Sequence, residues 1–428
     1  MKIFRDQEIK GFIERFMQRR TRVSVEVNQI VTAILENVRL NGDAALYEYT
    51  QKFDKVDLHR YGMAVSAVEL ETAHQELDGE LLAVLREAKE NIRRFHEKNL
   101  PQSWFCEELD NIVLGQRVVP LERVGVYVPG GRAVYPSSLL MGVVPAQVAG
   151  VREIILTTPA NPQGEVNRTI LAAAWELGIT QVFRIGGAQA IAAMAFGTQT
   201  VPQVDKIVGP GNIYVATAKK QLFGHCGIDM VAGPSEVIVI ADKTANAAYT
   251  AADLLAQAEH DPLASSIVIT DSPELAQTVQ RQVEQQMAQL PRREIIQQSL
   301  DNYGGILLMP DMQSCITLSN QLAPEHLGLH VEKPWETLEV IKNAGAIFLG
   351  SWSPEAVGDY WAGPNHVLPT NGSARFFSPL RTEDFMKTSS VVHYSREGIL
   401  KHGEKIITFA NSEELTAHAN AIKIRMSD

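Results

Sequence analysis

The stretch Gly125-Val-Tyr-Val-Pro-Gly-Gly131 decides the fold, because an apolar run ends there in two glycines. Such a run is typical of a buried strand, and paired glycines are typical of a tight turn. Tyr135-Pro-Ser-Ser-Leu-Leu140 then opens a helix, which either Ser137 or Ser138 could cap. The sequence therefore predicts a strand, a glycine turn and a helix in this order.

The same order of elements recurs on the C-terminal side of this stretch. Apolar runs alternate with amphipathic segments, and this alternation is typical of a parallel, doubly wound sheet. Two regions share the rhythm, which suggests a duplicated unit, although no sequence identity between them proves it. Residues 1 to about 100 are predicted to be mainly helical, and a smaller unit with a last helix follows residue 380. The further predicted strands are residues 153–157, 181–185, 236–241, 266–270, 305–309 and 346–349.

Length and composition limit the class of protein. The chain has 428 residues, of which 45% are hydrophobic and 21% charged, as in a soluble globular protein of several domains. A net charge of −11 gives no general attraction to nucleic acid or to anionic membranes. The longest apolar stretch, residues 139–151, is too short to span a bilayer, and the first residues lack a signal-peptide core. Three scattered cysteines indicate a reducing compartment, so we expect a cytoplasmic protein without nucleic-acid or membrane partners.

The stretch from Asp253 to Pro262 carries the first candidate chemistry. It is predicted to end a helix, because Asp261-Pro262 stops the run. Gln257 and His260 are three residues apart and therefore project from one side of that helix. An imidazole and a carboxamide on one face could form half of a metal site, although Gln is an unusual zinc ligand. The alternative is a capped helix end with polar side chains.

Three glycine turns follow predicted strands and precede predicted helices. They are Gly130-Gly131, Gly186-Gly187 with Gln189, and Gly209-Pro-Gly-Asn212. Small turns let main-chain amides approach a phosphate at a helix N-terminus, which would suit a nucleotide. Glycine is also common in turns that bind nothing, so the residues alone leave both interpretations open.

Glu325-His326 is a candidate acid/base pair. On a helix these neighbours would diverge, so each could act at a different step. The alternative is an accidental surface pair. His330 is interpreted as a strand residue because apolar Leu329 and Val331 flank it.

Two further polar segments could contribute to a site. The stretch 354–367 is dense in Gly, Pro and polar side chains, which suits a functional loop in which Asp359 could bind a metal and His366 a substrate. Glu413 and His418 lie on the last predicted helix, which could deliver a ligand from a separate segment or from another subunit. Alternatively, the polar side chains of the loop only form local hydrogen bonds, and Glu413 and His418 only form a solvated helix face.

Taken together, these stretches resemble the histidinol dehydrogenase family over nearly the whole chain. No single stretch is specific for this family, but all of them together are. The resemblance rests on VGVYVPGGRAVYPSSLLMGVVPAQVAGV, RIGGAQAIAAMAFGT, DKIVGPGNIYVATAKK, GIDMVAGPSEVIVIAD, LLAQAEHDP, LAPEHL and GDYWAGPNHVLPT.

The resemblance implies a fold and a division into domains. The expected fold class is α/β, with two incomplete Rossmann-like doubly wound domains and small helical N- and C-terminal segments. Residues 1–22 would form the N-terminal helical segment. Residues 23–105 and 235–380 would form the domain that carries most of the metal site. Residues 106–234 would form the NAD-binding domain, and 381–428 a C-terminal segment that contacts the second subunit of a homodimer.

The resemblance also implies an activity and its residues. Family members oxidise L-histidinol to L-histidine through histidinaldehyde, which is the last step of histidine biosynthesis, and reduce one NAD in each of two steps. One zinc ion per subunit is implied, and His418 resembles the ligand that one subunit lends to its partner. The implied roles are acid/base for Glu325 and His326; zinc binding for Gln257, His260, Asp359 and His418; substrate binding for Ser235, His366 and Glu413 besides His326 and the zinc ligands; and NAD binding for Tyr127, Gln189 and Asn212.

The sequence departs from the family pattern at two positions. Arg132 follows the first glycine pair where a small or polar residue is expected, and Glu414 stands beside Glu413 where a glycine would be usual.

Three other functions are possible. A related metal-dependent NAD dehydrogenase would act on another small polar alcohol such as sulfopropanediol, but His366 and Glu413 favour histidinol. A non-catalytic metal- or nucleotide-binding module would be expected to lack a ligand or the Glu-His pair. A structural protein would leave the polar residues at element ends unexplained.

Overall fold

The computed structural model describes residues 1–19, 25–130 and 135–427. Gly131 and Arg132, which the sequence singled out, lie outside the described residues. Within these ranges no helix combines the length and the apolar character needed to cross a bilayer.

The described ranges fold into strands, helices and short 3₁₀ turns. The strands are β1 (Ile3–Arg5), β2 (Trp104–Glu108), β3 (Ile112–Pro120), β4 (Arg123–Tyr127), β5 (Glu153–Thr157), β6 (Gln181–Phe183), β7 (Lys206–Val208), β8 (Gly227–Ile228), β9 (Glu236–Ala241), β10 (Ser265–Thr270), β11 (Gly305–Leu308), β12 (His326–His330), β13 (Ala346–Leu349) and β14 (Met386–His393). The helices are α1 (Gln7–Arg19), α2 (Val25–Asn41), α3 (Asp43–Phe53), α4 (Leu58–Tyr61), α5 (Ala67–Gln75), α6 (Gly79–Glu97), α7 (Pro136–Ala149), α8 (Arg168–Glu176), α9 (Gly187–Phe196), α10 (Ile213–Leu222), α11 (Ala247–Ala258), α12 (Pro273–Met287), α13 (Arg293–Tyr303), α14 (Met312–Leu322), α15 (Pro334–Leu338), α16 (Glu355–Tyr360), α17 (Arg396–Ser412) and α18 (Thr416–Ser427). The 3₁₀ turns occur at Leu109–Asn111, Ser373–Arg375 and Thr382–Phe385.

The apolar run before the first glycine turn forms the central strand of a five-stranded parallel sheet. The order of this sheet is β6-β5-β4-β7-β8. Val124 and Val126 of β4 are fully buried, as expected for a strand with helices on both faces. The strand order reverses at β4, and a ligand is expected beyond the carboxyl ends of the strands at such a point.

Helix α7 is apolar on nearly every side because it is enclosed by other elements. Pro136 occupies its first turn, where proline is favoured, and Gly142 allows close contact with β4. A Cβ atom on Gly142 would lie 2.9 Å from Val126 Cγ1. The predicted serine cap is wrong, because the residue before the helix is Tyr135 and no side chain caps the end.

A second parallel sheet has six strands in the order β1-β11-β10-β9-β12-β13. Apolar side chains cover both of its faces and form two separate core clusters. Parallel order with helices on both faces confirms the α/β, Rossmann-like fold class that the sequence predicted. The N-terminal segment is not purely helical, because β1 pairs with β11 before α1 begins.

A third sheet is antiparallel, in the order β14-β3-β2, and the sequence did not predict it. It joins the C-terminal segment to residues 104–120, so that segment contains a strand as well as α17 and α18. All residues of β2 and most of β14 are exposed. An exposed strand lacks the alternation of one buried face, which is the signal that identifies a strand in a sequence.

Helices α2 to α6 lie on the side of the five-stranded sheet, where they pack against the helices that flank it. Val31 and Ile34 of α2 share a core cluster with Ile191 of α9, and Leu85 of α6 shares one with Leu139 of α7. The family resemblance groups residues 23–105 with 235–380, and the packing differs from that grouping. An amphipathic pattern shows which face of a helix is buried, but not which sheet it covers. The domain boundaries themselves stay a prediction.

Candidate active site

Polar side chains meet at the amino-terminal edge of the six-stranded sheet. Glu236 begins β9, His326 begins β12, and Glu325 directly precedes His326. Helix α11 runs back from the opposite edge, and Gln257 in its last turn lies beside His326. Ligands of open α/β sheets usually bind at the carboxyl ends of strands. This cluster occupies the other edge.

The Glu325-His326 pair is buried, with exposed fractions of 6% and 5%. The main-chain N–H of Glu236 donates to Glu325 Oε2 at 2.8 Å, which fixes the carboxylate. His326 Nδ1 lies 3.1 Å from the carbonyl oxygen of Glu236, and a carbonyl can only accept. With its proton on Nδ1, the ring donates to this carbonyl, and Nε2 is left as a base. Burial lowers the pKa of His326 to about 4, so this imidazole is neutral at pH 7.

Helix α16 brings two carboxylates to the same place. Glu355 and Asp359 are four residues apart and share one face of the helix. Glu355 Oε1 lies 3.8 Å from His326 Nε2. Ligand atoms of His260, Glu355 and Asp359 all lie within 4.8 Å of one another. One nitrogen and two carboxylates at this separation could hold a cation.

The side-chain amide of Gln257 tests whether a metal fits this group. In one orientation of this amide, its oxygen points toward Glu355 and faces only hydrogen-bond acceptors. When the amide is rotated by 180°, its nitrogen donates to both carboxylate oxygens of Glu355, at 3.0 and 3.1 Å. The second orientation satisfies the hydrogen bonds and leaves the carboxamide oxygen as a metal donor. Imidazole nitrogen with carboxylate and carboxamide oxygens forms a mixed donor set that suits zinc and other divalent ions. The residues present therefore fit a divalent metal.

The electrostatics of the cluster also favour a cation. Burial, together with the charges of Asp359 and Glu325, raises the pKa of Glu355 well above its usual value. Burial opposes the ionisation of Asp359, but the nearby imidazole of His366 and the other neighbouring histidines lower its pKa overall. Within the described ranges, no lysine or arginine forms an ion pair with either carboxylate. A bound cation would relieve the repulsion between these carboxylates and favour their ionised forms.

His366 and Ser235 lie at the margin of this cluster. His366 Nδ1 is 3.7 Å from Asp359 Oδ1, and its buried Nε2 has no hydrogen-bond partner among the described residues. Its neighbour Asn365 donates to the carbonyl of Met141 in α7 at 2.8 Å, which ties this loop to the other parallel sheet. Ser235 directly precedes β9 and is half-buried. A buried imidazole nitrogen normally has a hydrogen-bond partner, so this one could accept a partner from outside the described residues.

The glycine turns converge at the carboxyl edge of the five-stranded sheet. Tyr127 ends β4, and its hydroxyl accepts a hydrogen bond from the Gly187 N–H at 3.2 Å; burial raises the pKa of Tyr127 to about 12. Gln189 is buried in the first turn of α9. Asn212 caps α10 by accepting from two main-chain N–H groups, at 3.0 and 3.2 Å. A Cβ on Gly209 would lie 2.1 Å from the carbonyl oxygen of Tyr127, so only glycine fits between these turns.

Glu413 and His418 do not join the cluster within one chain. Both are exposed. His418 lies on α18, but Glu413 lies in the turn that follows α17, so the prediction that places it on the last helix is wrong. The group of described residues that could hold a metal does not include His418. Glu414 adopts the left-handed conformation, with φ of 60°, which explains why a glycine would be usual at this position.

Sequence reasoning missed Glu355, as well as a buried network beneath the site. His330 ends β12, as predicted for a strand residue, and its Nε2 lies 3.2 Å from Asp253 Oδ2. Its Nδ1 lies 2.9 Å from Thr250 Oγ1. These contacts fix β12 against α11 and so align His326 with Gln257. The four-residue spacing from Glu355 to Asp359 was a signal that could have identified Glu355.

Comparison with known proteins gives one consistent match. The sequence profile described as Histidinol dehydrogenase matches residues 17–426. The chain is 51% identical over 401 residues to a histidinol dehydrogenase of Geobacillus kaustophilus, with 94% of both chains covered. It is 48% identical to one of Clostridium acetobutylicum, with 99% of both covered. A crystal structure of histidinol dehydrogenase from Elizabethkingia anophelis is similar with a TM-score of 0.94 and 38% identity, over 100% of this chain and 98% of that one.

Proposed function

The chain belongs to the histidinol dehydrogenase family, and we propose that it oxidises L-histidinol to L-histidine through histidinaldehyde. Each of two successive steps reduces one NAD, and the reaction is the last of histidine biosynthesis. The observation that supports this function best is the buried Glu325-His326 pair beside a metal-binding group. An acid/base pair next to a site that can anchor an imidazole is what the four-electron oxidation requires.

The first step removes a proton and a hydride from the alcohol. His326 Nε2 accepts the hydroxyl proton, because its Nδ1 is held by the Glu236 carbonyl. As the O–H bond breaks, the hydride leaves the adjacent carbon for the nicotinamide ring of NAD. The products are histidinaldehyde, NADH and a protonated His326.

The second step needs water. The aldehyde must be hydrated before a further hydride can leave, and Glu325 is the residue that we assign to activate the water. Its carboxylate is fixed by the Glu236 N–H and lies 3.8 Å from His326 Nδ1. During hydration, His326 returns its proton to the aldehyde oxygen while Glu325 takes a proton from the water. His326 then accepts a hydroxyl proton of the hydrate as the hydride leaves for a second NAD, and the resulting acid loses its last proton to become the carboxylate of L-histidine.

We assign Gln257, His260, Asp359 and the partner's His418 to one zinc ion per subunit. When bound, zinc supplies an anchor for the imidazole and amine of the substrate. Ser235, His366 and Glu413 complete the substrate site in this proposal, with His366 placed for the developing carboxylate and Glu413 for the ammonium group. The orphaned Nε2 of His366 supports its part of the assignment.

NAD is assigned to the carboxyl edge of the five-stranded sheet, with contacts from Tyr127, Gln189 and Asn212. The convergence of their turns supports this position. We also propose a homodimer in which α18 completes the partner's site, because His418 is exposed and lies outside the metal group of its own chain. A cytoplasmic location stays our prediction.

The stoichiometry of NADH formation tests the function. The purified protein with limiting L-histidinol and excess NAD should form two NADH for each histidinol consumed. One NADH for each histidinol would contradict the four-electron reaction. NADH formed from sulfopropanediol but not from histidinol would replace our substrate with that of the rival dehydrogenase.

Removal of the metal tests the role assigned to zinc. Protein treated with a chelator should lose affinity for histidinol, measured by calorimetry without NAD, and added Zn²⁺ should restore it. If the chelated protein bound histidinol as tightly as before and lost only turnover, zinc would not be the substrate anchor.

A further inference from the structure

A buried ion pair lies beneath the third glycine turn, outside the residues assigned above. Lys219 of α10 and Asp229, which follows β8, form this pair, and their side chains are 2% and 1% exposed. Taking two charges out of water is costly, so a buried pair is weak evidence of a stabilising role. Its other contacts are therefore informative about what it does.

Both members of the pair bind the main chain of the same residue. Lys219 Nζ donates to the carbonyl oxygen of Gly209 at 2.9 Å. Asp229 Oδ2 accepts from the Gly209 N–H at 2.8 Å, while Oδ1 accepts from the Met230 N–H at 2.6 Å. Gly209 has a φ of 115°, which strongly favours glycine. The pair thus fixes the peptide groups on both sides of the residue that begins the turn.

Gly209 links this pair to the NAD contacts. It lies against the carbonyl oxygen of Tyr127, where a Cβ would be only 2.1 Å away. Three residues further on, Asn212 ends the turn and caps α10, the helix that carries Lys219. A shift of Gly209 would therefore displace Asn212 relative to Tyr127.

We propose that Lys219 and Asp229 are positioning residues for NAD, which hold the turn of residues 209–212 in the conformation that the dinucleotide binds. This inference rests on the NAD contacts proposed above. Neither side chain touches the cofactor in this scheme, because both are enclosed by protein. Their loss should weaken NAD binding and leave the histidinol site, at the edge of the other sheet, unchanged.

The test compares three variants. Lys219→Met keeps an unbranched side chain as far as the Cε position but removes both the charge and the bond to Gly209. Asp229→Asn keeps an acceptor for the Gly209 N–H and weakens the pair, so it remains informative if the first variant does not fold. Lys220→Met, at an exposed position on the same helix, is the matched control. Each is measured for the KM of NAD, the KM of histidinol, kcat, and the Kd of NADH by fluorescence without turnover.

Lys219→Met should raise the KM of NAD and the Kd of NADH by about tenfold, which corresponds to the loss of one well-placed hydrogen bond. Asp229→Asn should show a smaller rise in both, and Lys220→Met none. The KM of histidinol should stay within about twofold in all three. A folded Lys219→Met protein with unchanged NADH affinity, or with equal rises in both KM values, would overturn the proposal. The NADH measurement remains valid even if the wild-type protein does not oxidise histidinol.

Discussion

Glu355 differs from the other acidic residues of the site because the amide of Gln257 can donate to both of its oxygens. A metal ligand is commonly oriented by a hydrogen bond to its second polar atom, and loss of such a partner typically costs about 10- to 100-fold in metal affinity. We interpret Glu355 as the residue that turns the carboxamide oxygen of Gln257 toward the metal.

Replacement of Glu355 tests this interpretation. Glu355→Ala should weaken Zn²⁺ binding by about 10- to 100-fold, measured by competition with a chromogenic chelator. Glu355→Gln should lose less, because its side-chain oxygen still accepts from Gln257. An exposed residue, Glu336, provides the control Glu336→Ala. Wild-type affinity in Glu355→Ala would contradict the orienting role.

The roles of Glu413 and Glu414 can be distinguished, because the two residues differ in backbone conformation. Glu414 has a positive φ, which costs a non-glycine residue about 1 kcal/mol. Glu414→Gly should therefore raise the free energy of unfolding by up to about 1 kcal/mol and leave the KM of histidinol unchanged. Glu413→Gln should raise that KM by about tenfold, as expected when a hydrogen bond to a charged group is lost. The reverse pattern of KM values would identify Glu414 as the residue that meets the substrate.

At the scale of elements, α6 is joined to the turn Thr382–Phe385 through a buried histidine. His96 is 3% exposed, its Nδ1 lies 3.4 Å from Thr382 Oγ1, and its Nε2 has no partner among the described residues. Burial lowers the pKa of His96 to about 4, against about 6.5 in the unfolded chain. The unfolded state therefore binds more protons between these values, and stability rises with pH.

This histidine should make the fold sensitive to acid. Its contribution is fully present above pH 6.5 and is lost as the pH falls toward 4, by up to about 3 kcal/mol. Urea unfolding at pH 7 and pH 5 should show a smaller difference in His96→Met than in the wild type. His393→Gln, at an exposed position, is the control. An equal pH difference in His96→Met and wild type would show that His96 does not titrate as its burial indicates.

The elements differ in how far the sequence predicts them. Strands such as β9 and β10 are buried along their whole length and have continuous apolar centres, because helices cover both faces of their sheet. These apolar runs predicted the parallel fold. The strand β14 is mostly exposed, so it has no comparable pattern, and its pairing with β3 depends on residues far away in the chain. The sheet on which α2 packs likewise depends on tertiary structure.

The sequence predicted which residues form the candidate site, but not how they are arranged in space. Gln257 and His260 could be placed on one helix face, because their spacing requires it. Their meeting with His326 at the amino edge of the sheet could not be foreseen, because it depends on the length of α11 and on the register of β12 with β9. Glu355 was missed because residues 354–367 were predicted to be a loop, whereas α16 begins at Glu355, so the four-residue spacing to Asp359 was not interpreted as one face of a helix.

At the scale of the whole molecule, the two candidate sites lie at opposite kinds of edge: the carboxyl edge of the five-stranded sheet and the amino edge of the six-stranded sheet. The turns that we propose for NAD follow the carboxyl ends of β4 and β7, whereas the proposed acid/base pair lies at the amino end of β12. The segment 361–371 connects the two halves, since Asn365 binds Met141 and Thr370 accepts from the Gly233 N–H at 2.6 Å. The fourth metal ligand, in our proposal, comes from outside the single chain.

Complementation between two inactive variants tests this shared site most directly. His260→Ala and His418→Ala should each be inactive alone. After the two are unfolded together and refolded, mixed dimers should contain one intact site, made from His260 of one subunit and His418 of the other. Random pairing then predicts about a quarter of wild-type activity. No recovered activity in verified mixed dimers, or full activity of His418→Ala alone, would contradict a metal site built from two chains.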